Sequence, residues 1–173
     1  MSKKGAIWIS AVLYILISLA VLSLVLVSVQ PIINKNRDKT IFSQTEQILK
    51  NIDDTIGRVS ENQGNKFSSD VKISRGNLII NPSMDVIEFQ LNDSAYQFSE
   101  ENQLIKQGKI NILTTKNGDK WKVSMYLNYS GTYDLTFGRQ DIRNRVLVES
   151  GQDYTLSFEN VGGLTKVIDV SLG

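Results

Sequence analysis

The stretch AIWISAVLYILISLAVLSLVLVSV, residues 6–29, decides how this chain is built. No charged residue occurs between Gly5 and Asn34. At about 1.5 Å of helix rise per residue, residues 6–33 would extend roughly 40 Å, which exceeds the hydrocarbon core of a bilayer at about 30 Å. A core helix buried inside a chain of 173 residues rarely needs so long an uncharged run. The stretch therefore predicts a helix that crosses a membrane.

The residues around the start of this stretch favour a retained anchor over a cleaved secretory signal. A secretory signal has an apolar region of about 7 to 15 residues that ends in a small-x-small cleavage site. Here the run is longer, and the basic residues Lys3 and Lys4 stand directly before the small pair Gly5-Ala6. Basic residues before a membrane helix also fit an ordinary anchor with its leader inside.

At these residues the sequence resembles archaeal type IV pilins, whose class III signal peptides place a short basic leader ahead of the hydrophobic helix. In that family a membrane-embedded prepilin peptidase cuts after the glycine and leaves the helix on the mature protein. The resemblance implies that the mature chain begins at Ala6. The processing motif that it implies comprises Lys3, Lys4, Gly5, Ala6 and Ile7.

A stripe of polar side chains follows one side of the apolar helix. At about 100° per residue, Ser10, Tyr14, Ser18 and Ser28 fall within an arc of roughly 80°. Small and hydroxyl residues let membrane helices approach closely, so this stripe is a candidate packing face in a filament core. Alternatively, each serine bonds a carbonyl of its own helix and has no further role. Ser10 occupies the fifth mature position, where many bacterial pilins carry glutamate, so the resemblance is to the archaeal branch.

A second helical pattern follows Pro31, at which the helix is expected to kink or melt locally. Its apolar residues recur at spacings of three and four, which predicts an amphipathic helix packed on a downstream domain. Lys50, Asp53, Asp54 and Arg58 are predicted to be exposed. The apolar face comprises Ile41, Thr45, Ile48, Ile52, Ile56 and Val59, with Phe42 and Leu49 beside it.

From residue 71 onward the hydrophobic period changes to two, which predicts half-buried strands. Asn117-Gly118 is the strongest turn signal, because this pair readily takes the positive φ angles of a two-residue hairpin turn. Strands and turns without βαβ units predict an antiparallel sheet or sandwich and no nucleotide-binding crevice. The predicted strands are 71–74, 77–80, 87–91, 109–115, 121–129, 133–137, 145–149, 154–158 and 166–172.

The predicted fold class is therefore α+β, with a long N-terminal helix followed by an antiparallel β-sheet or sandwich domain. Residues 1–5 form the leader and residues 6–33 the transmembrane or filament-core helix. Residues 34–63 continue from it as the amphipathic helix. Residues 64–173 form the extracellular β domain.

Composition excludes several classes of function. Nineteen basic residues against 18 acidic ones give no indication of nucleic acid. Cysteine and histidine are both absent, which removes thiolate nucleophiles, imidazole bases and the commonest zinc ligands. The carboxylates on strands and turns, Asp169 among them, are predicted to be solvated surface charges, and Arg139, Arg143 and Arg145 to mark an exposed loop and strand start. No enzyme activity, cofactor or metal is expected.

The leading hypothesis is a structural subunit of a type IV pilus-like filament with a surface β domain for adhesion or contact. The implied partners are copies of the chain through their N-terminal helices, membrane lipid before assembly, and the prepilin peptidase and assembly machinery. The alternatives are a single-pass anchored binding module and a minor pilin. Asn92 and Asn128 begin Asn-x-Ser sequons in the outward phase of their strands, which makes them candidate N-glycosylation sites.

Overall fold

The computed structural model describes residues 3–141, 143–163 and 166–173, with side chains from Trp8 onward. Helix α1 spans Lys3–Ser60. The contacts between Cα atoms divide the chain into two compact units, Met1–Arg37 and Asp38–Gly173. The long N-terminal helix followed by a sheet domain confirms the α+β fold class.

The first unit is helical at every described residue, and none of its described side chains is buried. Every side chain from Trp8 to Arg37 is exposed. Helix α1 continues through Pro31, so the local melt expected there is wrong, while the alternative of a kink stays a prediction. Proline removes one N–H group, but its fixed φ of about −65° is itself a helical angle, and the flanking turns can keep their hydrogen bonds.

The second unit takes the rest of α1 into its core. Leu49, Ile52, Ile56 and Val59 are fully buried, which confirms the predicted amphipathic helix. Ile48 lies only at the margin of the core. The apolar face is therefore centred between Leu49 and Ile52, slightly turned from the predicted one.

The polar face of this part of α1 is also largely as predicted. Lys50, Asp54 and Arg58 are exposed. The prediction that Asp53 is exposed is wrong, because its side chain is 15% accessible and bonded to residues of the sheet.

In the part of the chain that the structure describes, ten strands and one 3-10 helix follow α1. The 3-10 helix spans Pro82–Met84. The strands are β1 (Lys66–Val71), β2 (Asn77–Asn81), β3 (Val86–Ser94), β4 (Leu104–Gln107), β5 (Ile110–Asn117), β6 (Lys120–Asn128), β7 (Asp134–Phe137), β8 (Arg145–Val148), β9 (Tyr154–Gly162) and β10 (Val167–Leu172).

The described strands form two sheets. One has four strands in the order β1-β9-β10-β7, and the other has six in the order β4-β5-β6-β3-β2-β8. All pairs of named strands are antiparallel except β10 with β7, which is parallel. The prediction of a purely antiparallel sheet is wrong at this pair. Parallel neighbours need a long connection, and here β8 and β9 lie between the two strands in the chain.

One hydrophobic core joins the helix to both sheets. Ile52 and Ile56 of α1, Leu156 and Phe158 of β9, and Met125 of β6 belong to the same buried cluster. The alternation that marks strands in the sequence thus turns one row of each half-buried strand inward, and α1 supplies part of the inner wall.

Strands β3 and β9 end later than predicted, at Ser94 and Gly162, and β1 and β4 differ more from the sequence prediction. Residues 71–74 were expected as a strand, whereas β1 ends at Val71, and β4 was not predicted. Both lie at a sheet edge and are almost wholly exposed, so neither shows the alternation of a half-buried strand. Strand β1 is defined by its pairing with β9, which is distant in the chain, and β4 by its pairing with β5. Such pairing through the backbone leaves little pattern of side chains in the sequence.

The hairpin predicted at Asn117-Gly118 is confirmed, with the turn one residue later. Asn117 pairs with Lys120, so Gly118 and Asp119 are the two turn residues. Gly118 has a φ of 61°, a conformation that glycine takes without a steric penalty.

Candidate functional site

The N-terminal part of α1 is the largest exposed apolar surface in the described chain. Trp8 is 76% exposed, Leu24 72% and Val27 73%. Apolar side chains occur on all sides of this segment, and it is long and apolar enough to cross a membrane. Such a helix is stable only where lipid or other apolar helices cover it.

The residues of the predicted processing motif fall at the limit of the described chain. Lys3, Lys4, Gly5, Ala6 and Ile7 are helical in their backbone, and their side chains lie outside the described residues. Cleavage after Gly5 stays a prediction.

The serines of the apolar helix bond to their own backbone. The Ser18 hydroxyl donates to the Tyr14 carbonyl at 2.8 Å, and the Ser28 hydroxyl donates to the Val25 carbonyl at 2.8 Å. Ser23 lies outside the predicted stripe and bonds Leu19 in the same way. These bonds satisfy the hydroxyl donors of Ser18 and Ser28 within their own helix, so a packing role of these two residues depends on their small side chains and not on donating hydrogen bonds to another helix.

The two sequons lie in different surroundings. Asn92 is exposed, but the hydroxyl-bearing Ser94 of its sequon is fully buried, and its Oγ donates to the Tyr96 carbonyl at 2.8 Å. Asn128 and Ser130 are both exposed, and the Ser130 N–H donates to Asn128 Oδ1 at 2.9 Å. In the folded domain only the Asn128 sequon therefore presents both its amide and its hydroxyl at the surface.

The burial of Ser94 is part of a group of contacts around Asp38, which is only 1% exposed. Arg75 Nη1 lies 2.5 Å from Asp38 Oδ1, and the Ala95 N–H donates to Asp38 Oδ2 at 2.6 Å. Phe42, one turn further along α1, stacks on Phe98 with ring centroids 4.0 Å apart. The segment after β3 is thus fixed to the first buried turn of α1.

A polar cleft of about 550 Å³ opens beside the turn between β4 and β5. Gly108 and Lys109 form that turn, and Gly108 has a φ of 62°. The cleft is lined by tyrosines, lysines, amides and hydroxyls, with few aliphatic side chains. The lining includes Asp53, Leu104, Lys106, Lys109, Asn111, Tyr126, Asn128, Tyr129, Ser130, Thr132 and Tyr133.

Asp53 is the centre of the inner wall of this cleft. Lys109 Nζ lies 3.0 Å from Asp53 Oδ2, and the Tyr129 hydroxyl donates to Asp53 Oδ1 at 3.2 Å. Burial, followed by the negative charge of Asp53, raises the pKa of Tyr129 well above its usual value near 10. Tyr129 therefore stays a neutral hydrogen-bond donor.

The outer wall comes from a row across three strands. Lys106 of β4 pairs with Asn111 of β5, and Asn111 pairs with Tyr126 of β6. Directly opposite residues of neighbouring strands project on the same face about 5 Å apart. An ammonium group, an amide and a phenol ring therefore stand in a row on the outward face of the sheet, and all three residues line the cleft.

This cleft was not predicted from the sequence. Its one available signal is Tyr126, an aromatic residue in the outward phase of a strand whose neighbours Met125 and Leu127 are buried. The row of Tyr126, Asn111 and Lys106 depends on strand register, which could not be predicted from the sequence.

The predicted surface charges are mostly solvated, but Asp169 is an exception. This residue is 7% exposed, and its Oδ1 accepts hydrogen bonds from Thr136 Oγ1 at 2.7 Å and from the Arg139 N–H at 2.5 Å. The prediction of a solvated carboxylate is wrong there, because β7 and the turn after it each supply a hydrogen-bond donor. Arg139, Arg143 and Arg145 are exposed as predicted.

Comparisons with protein-family models, with curated proteins and with solved structures find no match to this chain. Among the described residues, no group of three or more acidic side chains is arranged to hold a metal ion. The functional conclusion therefore depends on the residues of this chain alone.

Proposed function

We propose that this chain is a structural subunit of a type IV pilus-like filament of the archaeal kind. Its N-terminal helix lies in the membrane before assembly and in the filament core afterwards. A prepilin peptidase removes residues 1–5, and the β domain forms the outer surface for adhesion or contact.

The observation that carries the proposal is the contrast in burial along one helix. From Trp8 to Ile33 every side chain of α1 is exposed, although most are apolar. From Ile41 to Val59 the same helix supplies fully buried residues to the β domain. A filament subunit needs both properties, because its helix must bundle with other copies at one end and carry a folded domain at the other.

The position of the basic leader supports the same proposal. Lys3 and Lys4 stand before Gly5 and the apolar run begins at once with Ala6. A plain membrane anchor needs the basic residues but has no requirement for a glycine at this point.

A second function is favoured by the cleft at Asp53 and Tyr126. A single-pass anchor that displays a binding module would use the same helix for lipid alone and the cleft for its ligand. It differs from a filament subunit in needing neither processing after Gly5 nor contact between helices.

The decisive experiment is the intact mass of the chain in filaments sheared from the surface of the native cells. A filament protein whose mass corresponds to a start at Ala6 supports the proposal. A chain that keeps Met1–Gly5 and stays in the membrane fraction would overturn it and leave the anchored binding module. A processed chain that is scarce in filaments would indicate a minor pilin.

A matched pair of variants tests helix packing. Ser18→Leu places bulk on the arc shared with Ser10, Tyr14 and Ser28, so filaments should be lost or fewer while membrane levels stay normal. Ser23→Leu is the control, since Ser23 makes the same kind of backbone bond but lies roughly 140° from Ser18 around the helix. Equal filament numbers in both variants would show that the stripe is not the contact.

A further inference from the structure

We propose that the cleft between the β4–β5 turn and Asp53 binds a saccharide that carries a carboxylate group. The cleft holds about 550 Å³, which is within the range of small-molecule sites. This inference concerns the folded β domain alone and does not depend on filament assembly.

The chemistry of the lining favours a sugar over an apolar ligand. Tyr126, Tyr129 and Tyr133 contribute three phenol rings, whereas Leu104 is its main exposed aliphatic side chain. A sugar ring has an apolar C–H face and polar edges, so it pairs with an amphipathic ring that has an apolar body and a polar tip. Tyr126 is partly exposed and is one of the lining residues, so it offers such a ring to a ligand.

The hydrogen-bonding groups divide into those already engaged and those available to a ligand. Asp53 is occupied by Lys109 and Tyr129, and Tyr133 shares a hydrogen bond with Ser60 at 3.0 Å. Within the described residues, no hydrogen bond or ion pair engages the Lys106 ammonium or the Tyr126 hydroxyl. The Asn111 amide of the outer row is also engaged, since it donates to the Tyr126 carbonyl at 3.4 Å, so the Lys106 ammonium and the Tyr126 hydroxyl are the groups of that row left for a ligand.

Charge selects the acidic class of sugar. The Lys109 ammonium is balanced by Asp53, whereas Lys106, which lines the cleft from β4, has no carboxylate within ion-pair distance among the described residues. One uncompensated positive charge in the row of residues that ends at the Tyr126 ring favours a ligand with one negative charge, such as a uronic acid.

The saccharide has two conceivable sources with the same chemistry. Asn128 and Ser130, which carry the exposed sequon, line the cleft themselves, so a glycan attached to Asn128 would begin at its rim. The other source is a foreign or neighbouring surface. The experiment therefore includes one arm for each.

The first arm uses the full chain in detergent micelles, made in a bacterial host that adds no N-linked glycan. Titration calorimetry with trigalacturonate should show saturable binding, and the uncharged galactotriose should bind at least about tenfold more weakly. Lys106→Gln should weaken trigalacturonate binding by about tenfold or more, because it removes the uncompensated charge. Tyr126→Ala should weaken binding of both sugars.

The matched control is Lys122→Gln. It also replaces one lysine by glutamine, on the face of β6 that carries Tyr126, but Lys122 does not line the cleft. Its affinity should equal that of the unmodified sequence. Lys106 lies on an exposed edge strand, so its variant should keep the melting temperature and any loss of binding is not a loss of folding. No saturable binding, equal binding of the two sugars, or an equal loss in Lys122→Gln would each overturn the proposal.

The second arm compares the chain from native cells with the unglycosylated chain from the bacterial host. If the cleft holds the chain's own glycan, trigalacturonate should bind the bacterially made chain and not the native chain. If the ligand comes from another surface, both should bind equally. Absence of binding to either would agree with a negative first arm and overturn the proposal, while the filament test above would stand unaffected.

Discussion

Two regions of helix α1 differ in how their apolar side chains are distributed and in whether those side chains are buried. Between Trp8 and Ile33 the side chains are nearly all apolar and all exposed, whereas from Ile41 to Val59 the apolar side chains are confined to one face and that face is buried. Both regions are α-helical without interruption. The difference teaches that the distribution of apolar residues around a helix, and not their number, shows whether a domain or a membrane covers it.

The largest expected effect comes from removing the second region altogether. A fragment that begins at Lys66 should aggregate or melt far lower than one that begins at Asn34. It lacks Leu49, Ile52 and Ile56, each contributing about 1.5–3 kcal/mol by burial, and their sum approaches the whole stability of a typical domain at about 5–15 kcal/mol. Thermal unfolding followed by circular dichroism measures this. Equal melting temperatures would mean that the two regions of the helix do not differ as described.

A smaller but still large effect is expected where the second region begins. Asp38→Ala leaves Arg75 and the Ala95 N–H without their partner in a nearly buried site, which should destabilise the domain by about 3–5 kcal/mol. Urea unfolding of the full chain in detergent micelles measures the change. Asp54→Ala is the control, because Asp54 is exposed on the same helix and its removal should leave the unfolding midpoint in place.

The same type of substitution, leucine to alanine, can be made once in each region of the helix. Leu49→Ala should destabilise the β domain by about 2–5 kcal/mol, since Leu49 is 0% exposed. Leu24→Ala should leave the unfolding of the β domain unchanged, because Leu24 is 72% exposed and lies in the other unit. The same urea titration serves both variants. A shift in the domain's unfolding with Leu24→Ala would show that the two regions are coupled.

The smallest effect concerns pH and only the packed region. Tyr129 has a raised pKa in the folded chain, through burial and then Asp53, so it stays protonated where an unfolded tyrosine ionises near pH 10. Its contribution to stability is complete below pH 10 and falls by up to about 1.4 kcal/mol per pH unit above it. Tyr129→Phe should make the fall in melting temperature between pH 10 and 12 shallower. An unchanged slope would contradict the burial of this phenol.

Several features followed from local sequence alone. The amphipathic helix was predictable because its apolar residues recur at spacings of three and four, and the β5–β6 hairpin because glycine at the turn tolerates a positive φ. Strand β6, whose buried residues alternate strictly with more exposed ones, was predicted within a residue of its ends. In each case the residues that form the pattern are close together in the sequence.

The candidate sites divide along the same line. The apolar helix and both sequons are contiguous in the sequence, so their residues could be named in advance. The cleft combines Asp53 of α1 with Lys106, Asn111 and Tyr126 from three strands, and no local pattern brings these residues together. The difference between the two sequons likewise depends on Ser94, which is buried only because the segment after β3 folds onto Asp38.

By itself, the sequence determined the helix, its division into an all-round apolar part and a one-sided part, and the change to strands after it. These depend on periodicity and turn chemistry, which neighbouring residues decide among themselves. The tertiary structure alone decided the edge strands, the parallel β7–β10 pair, the burial of Asp38, Asp53 and Asp169, and the cleft. These depend on strand register and on hydrogen bonds between residues far apart in the chain, whose cost in chain entropy is met only when the whole core has formed.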